Sequence, residues 1–270
     1  MNAKKILFTI TVVLLVIAFG VSAFLVGNYI VDSKAEKDRA DQLASMVTQG
    51  QQTTVPTQKP TTTTAPEETT QGTTVPTEPT ILEKYQDIYN TNNDMVGWIQ
   101  IEGTKINYPV VQTPDNPNYY LKRNFDGNKS EWGAIYAWEE ADINEPSDNV
   151  TLFGHHMADG SMFAALAAYT NKSAWENNPM IFFNTLYKEH TYQIFAVFKT
   201  SANVGEGFSY HKFVDADNEK EFNDFVKTCK DLSFYDTGIT PVYGDKLLCL
   251  STCEYTLDNG RLVVAAVRIA

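Results

Sequence analysis

The chain has 270 residues, 43% of them hydrophobic and 12% aromatic, with 21 basic against 33 acidic side chains and a formal net charge of −12. That content excludes a wholly disordered chain, and three cysteines exclude a dense disulfide framework, an odd count leaving at least one thiol unpaired within the chain. Residues 1–80 hold 6 Lys/Arg and 7 Asp/Glu, so −11 of the net charge falls on residues 81–270, and a surface of that sign repels phosphate backbones and disfavours nucleic acid as a partner.

In chain order, Lys4 and Lys5 precede an uncharged run, residues 6–31, that includes Thr9, Thr11, Ser22 and Asn28. About 20 apolar residues cross the hydrocarbon core of a bilayer, and a helix satisfies its own backbone groups there. A cleaved signal peptide is the rival, but its apolar region is usually about 7–15 residues long, and the best cleavage-like stretch, Val21-Ser22-Ala23, lies inside the run. The expectation is one uncleaved transmembrane anchor at 6–31, with a cytoplasmic tip at 1–5 and the bulk of the chain outside. The unopposed Lys4 and Lys5 support this orientation weakly, because Lys34, Lys37 and Arg39 follow the span.

Residues 32–80 read as a polar juxtamembrane segment followed by a stalk. Residues 51–80 contain 13 Thr and 5 Pro and no Leu, Ile, Phe, Tyr, Trp or Met, too little apolar area to offset the entropy of ordering. Such tracts serve as extended spacers, some of them O-glycosylated.

The folded domain is expected at 81–270, a length sufficient for one core. Residues 81–89 carry apolar side chains at helical spacing, with Thr80 as N-cap. Short β-rich runs follow at 96–101, 106–111, 133–137 and 149–153. A helix is predicted over 161–169, with Met162, Phe163, Leu166 and Tyr169 on one face, and a hairpin from 180–183 and 190–198. A second helix is predicted over 217–231, with the stripe Phe222, Phe225, Val226 and Cys229, before two last strands at 245–252 and 261–269. Many short strands with turn signals and few helices give a mostly β, mostly antiparallel barrel or sandwich.

Chemistry concentrates at three strand ends. Cys253, in Leu250-Ser251-Thr252-Cys253-Glu254, sits where a buried strand meets a polar loop, rigid behind and open in front, as a nucleophile requires. Taken alone, a lone Cys is more often a small buried hydrophobe. Cys249 shares its strand parity but lies roughly 13 Å away, beyond disulfide reach; Cys229 belongs to the core stripe. In Gly154-His155-His156-Met157 either imidazole can act as acid or base. Adjacent histidines on a strand point to opposite faces, and no Cys-x-x-Cys or His-x-x-x-His spacing supports zinc, so no metal and no cofactor are expected. Arg261 follows the hairpin signal Asn259-Gly260 and so heads the strand returning beside Cys253, where a guanidinium can stabilise an oxyanion. His190 and His211 are assigned no role.

Leu250-Ser251-Thr252-Cys253 with Arg261 at the head of the last strand and Gly154-His155 upstream resembles the sortase family, membrane-anchored cysteine transpeptidases of Gram-positive bacteria. Over residues 81–270, Trp98, the strand 106–111, Phe153-Gly154-His155-His156 and Ser161-Met162-Phe163 are similar to class B members. The resemblance implies a closed eight-stranded β-barrel with an N-terminal helix and a helix between the late strands. It implies Cys253 as nucleophile, His155, directly after Gly, as general acid/base, and Arg261 as oxyanion stabiliser. Asn116, Leu121, Ser251, Thr252 and Glu254 fall near the positions that bind the sorting peptide. Implied partners are the sorting motif of secreted proteins, a cell-wall amine as acceptor, and the membrane. The alternatives are a papain-like thiol protease, which places its Cys early on a helix, and a non-enzymatic tethered adhesion module, which leaves the Cys/His/Arg conjunction unexplained.

Overall fold

The structure, a computed structural model, describes residues 3–52, 79–203 and 205–270. Most of the expected Thr/Pro-rich stalk lies outside the described residues. The described chain divides into two units between Gln42 and Leu43.

The first unit is the greater part of helix α1, Ala3–Gln52. Among the described residues this is the one helix long and apolar enough to cross a membrane, and the side chains of its apolar stretch are exposed throughout. Past that stretch the helix is polar and carries (i, i+4) pairs, Lys34 with Asp38 at 2.7 Å and Lys37 with Asp41 at 2.5 Å, which favour helix by a few tenths of a kcal/mol each.

The second unit begins with the last turns of α1, where Leu43 is buried and Ala44, Met46 and Val47 pack beside it. The folded unit therefore starts well before residue 81. Leu43 meets Tyr85 and Ile88 of α2, Glu83–Thr91, together with Met95, Trp98 and Leu186. Leu82, not Thr80, occupies the N-cap of α2, and no side chain caps it. The strands are β1 Met95–Gln100, β2 Asn107–Val111, β3 Ile135–Ala137, β4 Asn149–Phe153, β5 Met180–Thr185, β6 Thr191–Ser201, β7 Leu247–Glu254 and β8 Gly260–Arg268. They are ordered β1-β2-β3-β4-β7-β8-β6-β5, and β5 pairs back with β1, so the sheet closes on itself. Most ladders are antiparallel, but β2–β3 and β4–β7 are parallel.

Alternation along β7 and β8 divides the core. Leu248, Leu250, Leu262, Val264 and Ala266 point inward with Ile99, Val150 and Val197. Leu247, Cys249, Val263, Ala265 and Val267 point outward and are covered by α4, Glu219–Leu232, whose buried stripe is Phe222, Phe225, Val226 and Cys229 as the spacing predicts. Each Val, Leu or Phe among them that is taken out of water contributes about 1.5–3 kcal/mol. Asn218 caps α4 by accepting from the Glu221 amide at 3.2 Å. The helix expected over 161–169 is instead a 3₁₀ segment, Ala164–Thr170, followed by the short α3, Lys172–Asn177; Met162, at φ 54°, is in left-handed backbone and cannot continue a helix.

Candidate active site

Register brings the three strand ends together. Cys253 is the cross-strand partner of Arg261 in the β7–β8 ladder, and Phe153 is the partner of Ser251 in the β4–β7 ladder. The Gly154 amide continues that pairing by donating to the Ser251 carbonyl at 3.1 Å, so the chain two residues beyond Phe153 brings His155 level with Cys253. All three side chains line one groove of about 420 Å³ on the outer face of the sheet. Its floor is the row Tyr136, Phe153 and Ser251. Asn118 and Leu121, from the β2–β3 connection, form one wall; Ser201, Asn203, Phe208, Tyr210 and His211, from the end of β6 and its connection to β7, form the other.

Cys253 is the one half-exposed thiol of the three. Cys229 and Cys249 are buried, burial pushes both thiols up, and they stay protonated.

His155 is oriented from the β2–β3 side. Its Nε2 lies 2.7 Å from the Leu121 carbonyl oxygen, which can only accept, so Nε2 carries a proton and in the neutral ring Nδ1 is the free acceptor. Two glycines make this approach possible. A Cβ at Gly154 would sit 2.5 Å from Ile135 Cδ1 and 2.8 Å from the Phe163 ring. A Cβ at Gly133, whose φ is +61°, would lie 2.7 Å from the Leu121 oxygen and 3.1 Å from His155 Cδ2.

Arg261 uses only Nη1 for internal contacts, donating to the Asn259 carbonyl (3.2 Å), Asn259 Oδ1 (3.1 Å) and the Gly260 carbonyl (2.9 Å). Asn259 adopts left-handed backbone, φ 47°, but Gly260 does not and already begins β8 opposite Glu254, so the strands are joined by the longer connection 255–259 rather than by a two-residue Asn-Gly turn. Among the described residues no carboxylate pairs with this guanidinium, so its remaining N–H groups are available for an anion forming at Cys253.

The floor and walls are aromatic and hydrogen-bonded. Tyr210 and Ser251 share a buried hydroxyl–hydroxyl bond of 2.6 Å, tying the β6–β7 connection to the strand that carries Cys253. Tyr136 stacks on Phe153 at 5.3 Å and donates to Asn118 Oδ1 at 3.3 Å; burial and then Glu139 push its phenol up to about 12, so it remains a donor. His211 packs against Trp138 at 4.8 Å and Tyr210 at 5.4 Å. Burial, with Lys212 next, holds its imidazole below the ordinary value.

Of the residues expected at the site, Leu121 and Ser251 line the groove. Thr252 only borders it: by parity its side chain faces inward beside Leu250, where its buried hydroxyl has no partner. Asn116 is exposed and outside the lining; the asparagine there is Asn118, two residues later. Glu254 is outside it too, pairing with Lys199 at 2.7 Å, because parity places it on the face opposite Cys253. His156 turns away from the groove: its carbonyl accepts from the Tyr255 hydroxyl at 3.2 Å, and the two rings are 5.5 Å apart. The assignment of no role to His211 missed a groove residue, because a histidine on a long connection carries no periodic signal. Among the described residues no group of three or more His, Cys, Asp or Glu side chains is arranged to hold a metal ion.

The sortase domain family matches residues 99–269. Sortase B of Listeria monocytogenes is 32% identical over 187 residues, 68% of this chain and 73% of the relative. Among solved structures, sortase B from B. anthracis aligns with a TM-score of 0.61 at 31% identity, covering 72% of this chain and 88% of that one. Staphylococcus aureus sortase B aligns with a TM-score of 0.64 at 30% identity, covering 70% and 88%.

Proposed function

This chain belongs to the sortase family of cysteine transpeptidases, class B, and from that premise we propose that it cleaves a short sorting motif of secreted proteins through Cys253 and transfers the acyl group to a cell-wall amine. The observation that carries the reading is the convergence of Cys253, His155 and Arg261 on one groove, at the level of the sheet where two ladders end.

In the reaction the Cys253 thiolate attacks a peptide carbonyl carbon. The free N–H groups of Arg261 receive the developing oxyanion, which a preorganised guanidinium stabilises without reorganisation. Collapse breaks the C–N bond, protonated His155 gives its proton to the departing amine, and a thioester to Cys253 remains. An incoming amine attacks the thioester, neutral His155 takes its proton, and the thiolate leaves. The peptide segment preceding the scissile bond lies along the groove between the Asn118–Leu121 wall and the Phe208–His211 wall, over Ser251 and Thr252.

We place the anchor at residues 6–31, N-terminus inside, with the catalytic unit outside the cell. That unit comprises the last turns of α1 together with residues 81–270. The apolar helix behind Lys4 and Lys5 and the Thr/Pro-rich composition of the segment that follows support the placement.

The test incubates the full chain in detergent, and its Cys253→Ala variant, with a library of sorting-type peptides and added amines. The expected result is a thioester adduct at Cys253 and amine-dependent transfer, both lost in the variant. Failure of the wild-type chain to form the adduct, or transfer by the variant, overturns the reading; partner retention by Cys253→Ala without chemistry would point to a binding module.

A further inference from the structure

Directly behind the Cys253–Arg261 pair, on the other face of the sheet, three polar side chains close a triangle. Lys199 of β6 points inward, as Val197 does, and Glu254 points inward with Leu250 and Thr252. Lys199 Nζ donates to Glu254 Oε1 at 2.7 Å and to Thr256 Oγ1 at 3.0 Å. Glu254 Oε2 accepts from the Thr256 hydroxyl (2.8 Å), the Thr256 amide (2.9 Å) and the Leu257 amide (3.2 Å). The carboxylate thus satisfies two amides of the β7–β8 connection, those of Thr256 and Leu257, and the lysine holds the carboxylate. Side-chain exposures of 27% for Lys199 and 11% for Glu254 set this pair apart from the solvent-facing pairs of α4, where both partners exceed 60%. A sheltered charge pair fixes geometry in a way that an exposed one does not.

The turn so fixed has two outputs. It sets the start of β8, and therefore where Arg261 stands against Cys253. It also presents Tyr255, whose hydroxyl reaches the His156 carbonyl and whose ring packs on His156, next in the chain to His155. One ammonium group therefore lies behind the placement of all three reacting side chains while touching none of them.

We propose that Lys199 is a positioning residue for the transfer reaction, acting through Glu254 and the β7–β8 turn to hold Cys253, Arg261 and the His155 loop in register. The proposal rests on the transpeptidase reading above. Lys199→Met removes the ammonium and keeps the stem; Lys199→Arg keeps donors for both Glu254 and Thr256.

The experiment uses the full chain in detergent. It measures kcat and KM with a peptide selected on the wild type, and the pH profile of Cys253 alkylation by iodoacetamide, read by mass spectrometry. Misplacement of reacting groups by about an ångström lowers kcat by roughly tenfold to a hundredfold. The expected result for Lys199→Met is a loss of that order with KM nearly unchanged, a displaced alkylation profile, and recovery of both in Lys199→Arg. Thr256→Val, which opens the triangle at an exposed corner, is expected to move both readouts the same way and serves if Lys199→Met does not fold. Wild-type kcat and alkylation profile in the folded Lys199→Met and Thr256→Val variants, or an Arg variant as impaired as the Met one, overturns the proposal. Absence of a wild-type thioester sinks the transpeptidase reading instead, while the alkylation profile, which needs no peptide, still decides whether Lys199 positions the thiol.

Discussion

Arg261 stands directly opposite Cys253 across the β7–β8 ladder, held to its own turn through Nη1 alone. A guanidinium fixed at one nitrogen has its other N–H groups aimed by a planar frame, which an ammonium cannot reproduce. Arg261→Lys is therefore expected to lower kcat/KM by about a hundredfold to a thousandfold, the magnitude for losing one oxyanion donor. Thermal unfolding should be nearly unchanged. Steady-state kinetics beside a melting curve checks this, and a lysine variant with near-native kcat/KM would remove Arg261 from the oxyanion role.

Gly133 is where the backbone leaves no room for a side chain beside the histidine. A Cβ there meets the Leu121 and Tyr120 carbonyl oxygens at 2.7 and 2.8 Å, and the residue has a positive φ. Gly133→Ala costs roughly 1–2 kcal/mol for the left-handed conformation alone, and relief of the contacts shifts the Leu121 carbonyl that orients His155. The expected outcome is a fall in kcat at temperatures where circular dichroism shows the variant fully folded. Native kcat in folded Gly133→Ala would mean that the His155–Leu121 bond does not matter to turnover.

Tyr210→Phe deletes the hydroxyl partner of Ser251 and leaves a buried oxygen without one, a cost of about 1–3 kcal/mol. Adding Ser251→Ala removes the orphan and should restore part of that loss, a coupling that urea midpoints of the four-member cycle will measure. Because the same bond anchors the groove wall, KM for the peptide is expected to rise in Tyr210→Phe. Additive urea midpoints would show that the hydroxyls do not cooperate.

His211 makes the groove wall sensitive to acid. Burial, Lys212 and Arg261 hold its folded pKa below the ordinary 6.5 while Glu140 opposes them, and it packs among Trp138, Phe153 and Tyr210. The folded state then binds fewer protons than the unfolded state, so the associated stability is fully present above pH 6.5 and is lost as the pH falls through the lowered folded value. His190 is lowered by burial too and titrates with the same sign, so the comparison isolates one group. Denaturation midpoints from about pH 7.5 to 5 should fall less steeply in His211→Phe than in the wild type. Parallel curves would exclude His211 as the source.

The local parts of this architecture were legible in the sequence. Short β-rich runs mark all eight strands, those of β6 and β8 as continuous apolar stretches buried on both faces, and the α4 stripe is complete because a helix packed on a sheet must repeat its apolar residues every turn. The β5–β1 pairing and the two parallel ladders join segments distant in the chain, and no local pattern encodes a pairing partner. At the site, Cys253 and Arg261 belong to one hairpin, so their proximity follows from two sequence-adjacent strands joined by the short connection 255–259. His211 and Asn118 lie on connections placed by tertiary packing, so no period in the sequence points to either as a lining residue. Glu254 was open to correction from the start: one step along a strand from Cys253 it has to face the other way.

Leu43 is packed into the same apolar cluster as Tyr85 and Ile88, and this changes what the Thr/Pro-rich segment connects. It leaves one part of a folded unit and rejoins another part of the same unit. A proteolytic nick there would cut within the body rather than sever a leash, leaving two fragments held by noncovalent packing, much as a permuted chain tolerates a new pair of ends. A recombinant fragment starting at residue 81 would, by contrast, strip the apolar cover from Tyr85 and Ile88 and carry that bare patch into solution.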